Sequence, residues 1–275
     1  MIYEQVKHLK PEDFKRLCGV RPETFDQMVA VIQQAKQQLK PGRPSKLSIE
    51  DQVLMTLEYL REYRTYFHIA TSWGIYESTA YRIIRTVENT LIASGRFRLP
   101  GKKKLLDPNH EIEIIVVDVT ESPIERPKKK QKHYYSGKKK RHTLKTQVVV
   151  NQSTQEIICT AYAKGKRHDF HLFKTSKVKL KAQIECLADK GYQGIQKLHP
   201  NSRTPQKKPR GRGFNPQQKS QNTELALLRV VGEHVNRRLK IFKILSERYR
   251  NRRRRFGLRF NLIAGLYNHE LSLAK

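Results

Sequence analysis

Acidic residues are scarce in this chain of 275 residues: 25 Asp and Glu stand against 56 Lys and Arg, a formal net charge of +31. An excess that large repels itself in a compact state unless a polyanion is near, so nucleic acid is the first partner to consider and an anionic membrane surface the second. Cysteine is scarcer still. Cys18, Cys159 and Cys186 are far apart and odd in number, which excludes a disulfide framework and a zinc-ligand spacing. Long apolar runs are missing too. The longest, Met28-Val29-Ala30-Val31-Ile32, falls far short of the roughly 18 residues that a bilayer span needs, which excludes an integral membrane protein. The first residues, Met1-Ile2-Tyr3-Glu4-Gln5, carry no apolar stretch, so no secretory signal is expected. What is left is a cytoplasmic, reduced protein that binds DNA or RNA.

The patterning divides the chain in two. Pro11-Glu12-Asp13 and Arg21-Pro22-Glu23 place proline in a first turn with acid behind it, which predicts two helix starts. Ser48, followed by Glu50 and Asp51, predicts an N-cap for a helix to about Tyr63, where Val53, Leu54, Leu57 and Leu60 keep a 3.6 period. Residues 65–92 then carry a helix-turn-helix pattern. Ala70 sits four before Gly74, Ile75 follows the glycine and Ile83 comes eight later. The small residue lets two helices cross closely, glycine takes the turn and the aliphatics fill the shared core. An ordinary helical hairpin shares part of this pattern; the charge favours a DNA reader. Ser78, Thr79, Tyr81, Arg82 and Arg85 are expected to face outward on the recognition helix.

Residues 101–110 read as a linker after a helical domain over 1–100. Beyond them, Ile112–Val119 is mostly β-branched, as in a strand buried on both faces. Thr143–Asn151 and Glu156–Ala163 predict a hairpin, His168–Lys177 a helix and Ile184–Ala188 a short strand. After a Pro-, Gly- and Lys-rich loop over 200–218, Leu225–Leu245 and Phe256–Leu273 predict two long helices. The order β-β-β-α-β-loop-α-α makes 111–275 a mixed α/β domain.

Asp118 ends one buried strand and Asp189 follows another. A charge there is costly unless paired or bound to a metal, and ligands of α/β sheets bind at the carboxyl ends of strands. Two such acids match the hard oxygen ligands that Mg²⁺ or Mn²⁺ takes. A third should come from a helix. On a wheel for Leu225–Leu245, Arg229, Glu233 and Lys240 point roughly 105–145° away from the apolar stripe. Glu233 is then either that third ligand or the partner of Arg229 in a solvated i,i+4 ion pair.

Together, the segment Ile114–Thr120, Ala188-Asp189-Lys190-Gly191-Tyr192 and the spacing Arg229-(three)-Glu233-(six)-Lys240 resemble the DDE transposases of bacterial insertion sequences, in the insertion-sequence-five branch related to Harbinger elements. The resemblance covers nearly the whole chain. It implies an RNase H-like catalytic domain behind the helix-turn-helix, and two divalent metal ions, Mg²⁺ or Mn²⁺, held by Asp118, Asp189 and Glu233. It implies a transposase that binds terminal inverted repeats, hydrolyses phosphodiesters and transfers strands; the alternative is a transposase-derived DNA-binding protein or nuclease without transposition. The family's tyrosine three residues before the arginine is replaced here by Ala226. Gly165-Lys166-Arg167-His168-Asp169 resembles a Harbinger segment and makes Asp169 a rival second carboxylate.

The partner expected is double-stranded DNA, both element ends and target, engaged by a homodimer or higher oligomer in the bacterial nucleoid. Arg229 and Lys240 are expected on phosphates beside the metals. Lys128, Lys129, Lys130, Lys138 and Lys139, in a basic segment over 126–141, are expected to grip the backbone as a hairpin insertion; the alternative there is a disordered basic loop.

Overall fold

The computed structural model describes residues 2–38, 45–109, 112–208, 211 and 213–274. They fall into two compact units. One comprises Met1–Arg98, Leu239–Glu247 and Arg255–Lys275; the other comprises Leu99–Arg238 and Arg248–Arg254. This grouping differs from a division at 101–110. Both C-terminal segments count with the helical unit, and Leu105 of the expected linker lies fully buried in the core of the sheet unit.

The helical unit contains α1 (Tyr3–Val6), α2 (Pro11–Cys18), α3 (Pro22–Gln37), α4 (Ile49–Glu62), α5 (Tyr66–Ser72) and α6 (Glu77–Ala93). The two prolines open α2 and α3, as expected. Ser48 caps α4 by accepting the Asp51 N–H at 3.0 Å, and the helix stops at Tyr63, whose φ is 52°. Between α5 and α6 the chain turns at Gly74 with φ 60°, and the Ile75 N–H donates to the Ala70 carbonyl at 3.0 Å. Ile69, Ala70, Ala80 and Ile84 are buried beneath that turn.

In the sheet unit lie β1 (Ile114–Pro123), α7 (Gln131–Tyr134), β2 (Tyr135–Ser136), β3 (Arg141–Asn151), β4 (Ile157–Lys164), α8 (Asp169–Ser176), β5 (Glu185–Ala188), β6 (Ser202–Arg203) and α9 (Pro216–Leu239). The helical unit is completed by α10 (Lys243–Ser246) and α11 (Phe256–Leu273). The sheet runs β2-β3-β1-β5-β6, with β4 also paired to β3. β3 is antiparallel to β1 and to β4, whereas β1, β5 and β6 are parallel. Because side chains alternate along a strand, β1 buries two sets. Ile115 and Val117 pack with Val149, Cys186, Ala188 and Phe173 of α8; Val116 packs with Leu187 and Leu225 of α9. The sheet is therefore a middle layer between α8 and α9.

α9 departs from its expected span at both ends. It begins at Pro216 because Asn215 and Gln218 form a reciprocal cap: the Gln218 N–H donates to Asn215 Oδ1 at 2.7 Å, and the Asn215 N–H to Gln218 Oε1 at 3.1 Å. It ends at Leu239 because Phe242, Ile244 and Leu245 bury within the helical unit instead of continuing the stripe. Lys240 thus lies off the helix, and its wheel direction does not apply. Among the described residues no helix is long and apolar enough to cross a membrane.

Candidate functional site

Asp118 and Asp189 come together by register. β1 and β5 are parallel with Val117 opposite Ala188, so both aspartates are the next residue on neighbouring strands, which run about 4.8 Å apart. Both follow Val116 and Leu187 in alternation, on the α9 face. The Asp118 carboxyl is half-buried and pushed above its ordinary range by burial; the Val119 N–H, Arg229 and Asn236 oppose that rise and Asp189 adds to it. Asp189 accepts the Lys190 N–H at 2.5 Å and meets an Arg229 Nη at 3.6 Å.

The helix-turn-helix stands by itself in the helical unit. Ser78 and Arg82 are exposed on α6, with Thr79 and Arg85 half-buried beside them. Arg82 donates to the Ser78 carbonyl at 3.3 Å and to Thr79 Oγ1 at 3.4 Å. Arg85 donates to the Tyr81 hydroxyl at 2.5 Å. Tyr76, which caps α6 and is 84% exposed, was not among the expected readers.

A family model described as DDE superfamily endonuclease matches residues 117–268, more than half of the chain, and one described as helix-turn-helix of DDE superfamily endonuclease matches residues 45–97. The chain belongs to the DDE superfamily of endonucleases. It is 57% identical over 274 residues, 99% of each chain, to the "Probable transposase for insertion sequence element IS702" of Microchaete diplosiphon. It is 26% identical over 244 residues, 86% of this chain and 87% of the other, to a transposase ascribed to insertion sequence element IS112 of Streptomyces albus G. No solved structure matches it.

In this DDE endonuclease, a glycine lets α9 press onto β1 at Val116 and Asp118. A Cβ on Gly232 would lie 3.1 Å from Val116 Cγ1 and 3.5 Å from Asp118 Cβ. Arg229 and Asn236 flank that contact on the same helix face, and Asn236 Nδ2 donates to Asp118 Oδ2 at 2.7 Å. Arg229 turns to Asp189, and among the described residues no ion pair joins it to Glu233, so the alternative of an i,i+4 pair is not found. Glu233 itself is exposed, one position along from Gly232. Two carboxylates therefore meet where β1 passes the C-terminal end of β5, and no group of three His, Cys, Asp or Glu side chains able to hold a metal forms among the described residues. The donor chemistry fits a divalent cation: two hard carboxylates side by side, and a helix that carries Glu233 next to its contact with Asp118.

Asp169 does not cap α8, whose N-cap is His168. Its Oδ1 pairs with Lys145 Nζ at 2.8 Å, and Lys145 lies 3.9 Å from Glu121. Glu121 alternates with Val119 and Val117, so this network occupies the α8 face, opposite to Asp118. Tyr192 is buried between these groups, and its hydroxyl has no partner among the described residues. Burial, then the charges of Asp169, Asp118 and Asp189 among others, push that phenol well above its usual range.

The basic segment carries α7 and β2. Tyr135 and Ser136 pair with His142 and Arg141 in a tight hairpin, and Lys128, Lys129, Lys130, Lys138 and Lys139 are all exposed. Of the Arg252–Arg255 run, Arg255 is half-buried and donates to Glu88 and Asn89. The residues that sequence reasoning missed are Gly232, Asn236 and the Lys145–Asp169 pair. A glycine and an asparagine at i and i+4 in an otherwise apolar stripe are the signal that could have found the first two.

Proposed function

We propose that this DDE endonuclease is the DNA transposase of an insertion sequence, binding terminal inverted repeats through α5 and α6 and cutting and joining strands at Asp118, Asp189 and Glu233. The observation that carries the reading is the meeting of Asp118, within β1, and Asp189, at the end of the parallel neighbour β5, in a strongly basic chain. An RNase H-like description of the sheet unit is supported by the strand order and directions, with one antiparallel neighbour and one parallel neighbour on β1. The insertion-sequence-five and Harbinger-like branch is supported by the Asp118, Asp189 and Arg229-to-Glu233 spacing.

Asp118, Asp189 and Glu233 would hold two divalent ions, Mg²⁺ or Mn²⁺, which when bound supply activation of an oxygen nucleophile and stabilisation of the leaving oxygen. The chain's own groups do the rest. Arg229 presents a fixed cation beside Asp189 for a phosphate, and Lys240 is a further phosphate contact. Ser78, Thr79, Arg82 and Arg85 read or grip the element ends. Lys128, Lys129, Lys130, Lys138 and Lys139 hold the DNA backbone without reading sequence. The protein acts on DNA as a homodimer or higher oligomer, in the bacterial cytoplasm.

Asp118→Asn, Asp189→Asn and Glu233→Gln should each abolish Mg²⁺-dependent cleavage of end DNA and leave binding to it intact. Glu224→Gln, whose parent residue pairs with Arg203 at 3.0 Å, is the control. Cleavage by all three variants at the parental rate would refute the nuclease site. Loss in the control with activity in Glu233→Gln would refute the third ligand.

A further inference from the structure

The buried face of α9 is where an apolar residue is expected, as at Leu225, Val235 and Leu239. Asn236 occupies that face at 9% exposure. Its Nδ2 donates to Asp118 Oδ2 at 2.7 Å, and its Oδ1 is buried with no partner among the described residues. An amide satisfied on one side only costs stability, and an apolar residue of the same volume would not incur that cost. The slot is also held closely, because Gly232 one turn earlier brings the helix to within contact distance of Asp118 Cβ.

We infer that Asn236 is a positioning residue for Asp118: its amide fixes one carboxylate oxygen so that the other is presented toward Asp189 for a divalent cation. The inference rests on the reading of Asp118 as a metal-holding carboxylate. A carboxylate without that tether can rotate about its Cβ–Cγ bond and must be ordered by the cation itself. Outer groups of this kind set metal affinity, and their loss typically costs about 10–100-fold.

The test uses the full chain and Mn²⁺ as the probe, by calorimetric titration without DNA and by the Mn²⁺ dependence of end-DNA cleavage. Asn236→Ala removes the tether. Asn236→Leu removes it while keeping a branched side chain of the same heavy-atom count against the sheet, and each variant is checked for a parental urea melt. Both should raise the half-saturating Mn²⁺ concentration by about 10–100-fold, with cleavage at saturating Mn²⁺ within a few-fold of the parent. A parental midpoint in both variants overturns the inference, whether or not the maximal rate falls, because a purely structural role lowers the rate without moving the midpoint. Asp118→Asn separates the two failures. If it binds Mn²⁺ and cleaves like the parent, the reading of Asp118 falls; if it loses both while the Asn236 variants keep the parental midpoint, only the role of Asn236 falls.

Discussion

Gly232→Ala is the smallest change that pits helix stability against the geometry at Asp118. Glycine inside a helix costs about 1 kcal/mol relative to alanine, so an unobstructed substitution would stabilise α9 by that amount. The site is obstructed. The new methyl lies 3.1 Å from Val116 Cγ1, and carbon pairs settle at about 3.5–4.0 Å. Either α9 or the valine must yield by roughly 0.4–0.9 Å, the difference between those separations. Overpacking of this kind costs typically about 1–3 kcal/mol, and one methyl belongs at the low end. The two effects nearly cancel, so the free energy of unfolding in urea should change by less than about 1 kcal/mol. Activity has no such compensation. A catalytic constellation tolerates roughly 0.5 Å, and the shift displaces Asn236 and Arg229 together from the two aspartates. Single-turnover Mg²⁺-dependent cleavage should fall about tenfold or more, toward the roughly 100-fold expected of a displacement near 1 Å. Gly232→Val should enlarge both losses. Parental cleavage by both variants, with Gly232→Ala more stable by the full helix increment, would refute the claim that α9 bears on Asp118.

Glu88 is fully buried against Arg259 at 2.6 Å and Arg255 at 2.8 Å. Glu88→Ala should therefore destabilise the helical unit by about 3–5 kcal/mol, the cost of leaving buried charge unpaired, and a loss below about 1 kcal/mol in urea melts would count against it. His269 has its pKa lowered by burial first and by Arg96 second, with Glu270 opposing. It is held neutral in the fold, so its contribution is present above the unfolded pKa near 6.5 and is lost as pH falls through the lowered folded value. His269→Gln should flatten the loss of melting temperature between neutral pH and pH 5, and an unchanged slope would remove His269 as its source. Replacing Lys128, Lys129 and Lys130 by Gln should lower the salt dependence of DNA binding by up to about 0.9 log units per phosphate contact. A constant slope would show that the hairpin does not touch the backbone.

Local signals in the sequence survived folding where one or two residues suffice to specify an element. Pro11, Pro22 and Ser48 begin helices wherever they are followed by a compatible turn, because the missing N–H or the capping oxygen acts within that turn. α11 covers Phe256–Leu273, the span its apolar pattern predicts. Where tertiary packing decides, the reading fails. The apolar stripe of α9 continues on paper through Phe242, yet that ring is buried in the helical unit, where a Cβ on Gly19 would come within 2.7 Å of it. At its other end the cap was legible as Asn215-Pro216-Gln217-Gln218, but the surrounding Pro, Gly and Lys made the stretch look like a loop.

The two aspartates were legible for a reason that does not extend to their neighbours. An acid that ends a mostly apolar strand is costly wherever the strand lies, so Asp118 and Asp189 stand out from the local sequence alone. Their meeting then requires only that β1 and β5 be parallel and in the register that sets Val117 beside Ala188. Gly232, Asn236 and Asp169 carry no such mark, because their roles depend on which face of the sheet each helix covers. Asp169 opens a helix, as an isolated reading says, but α8 packs on the face of Val117 and Val119, so the carboxylate meets Lys145 instead of Asp118. Asn236 looks like a polar lapse in an apolar stripe until α9 is laid on the opposite face, where a leucine could not donate to Asp118. The carboxylates report the chemistry, and the residues that orient them become visible only when the layers are assembled, since the second kind of residue is selected by a distance and the first by a burial cost.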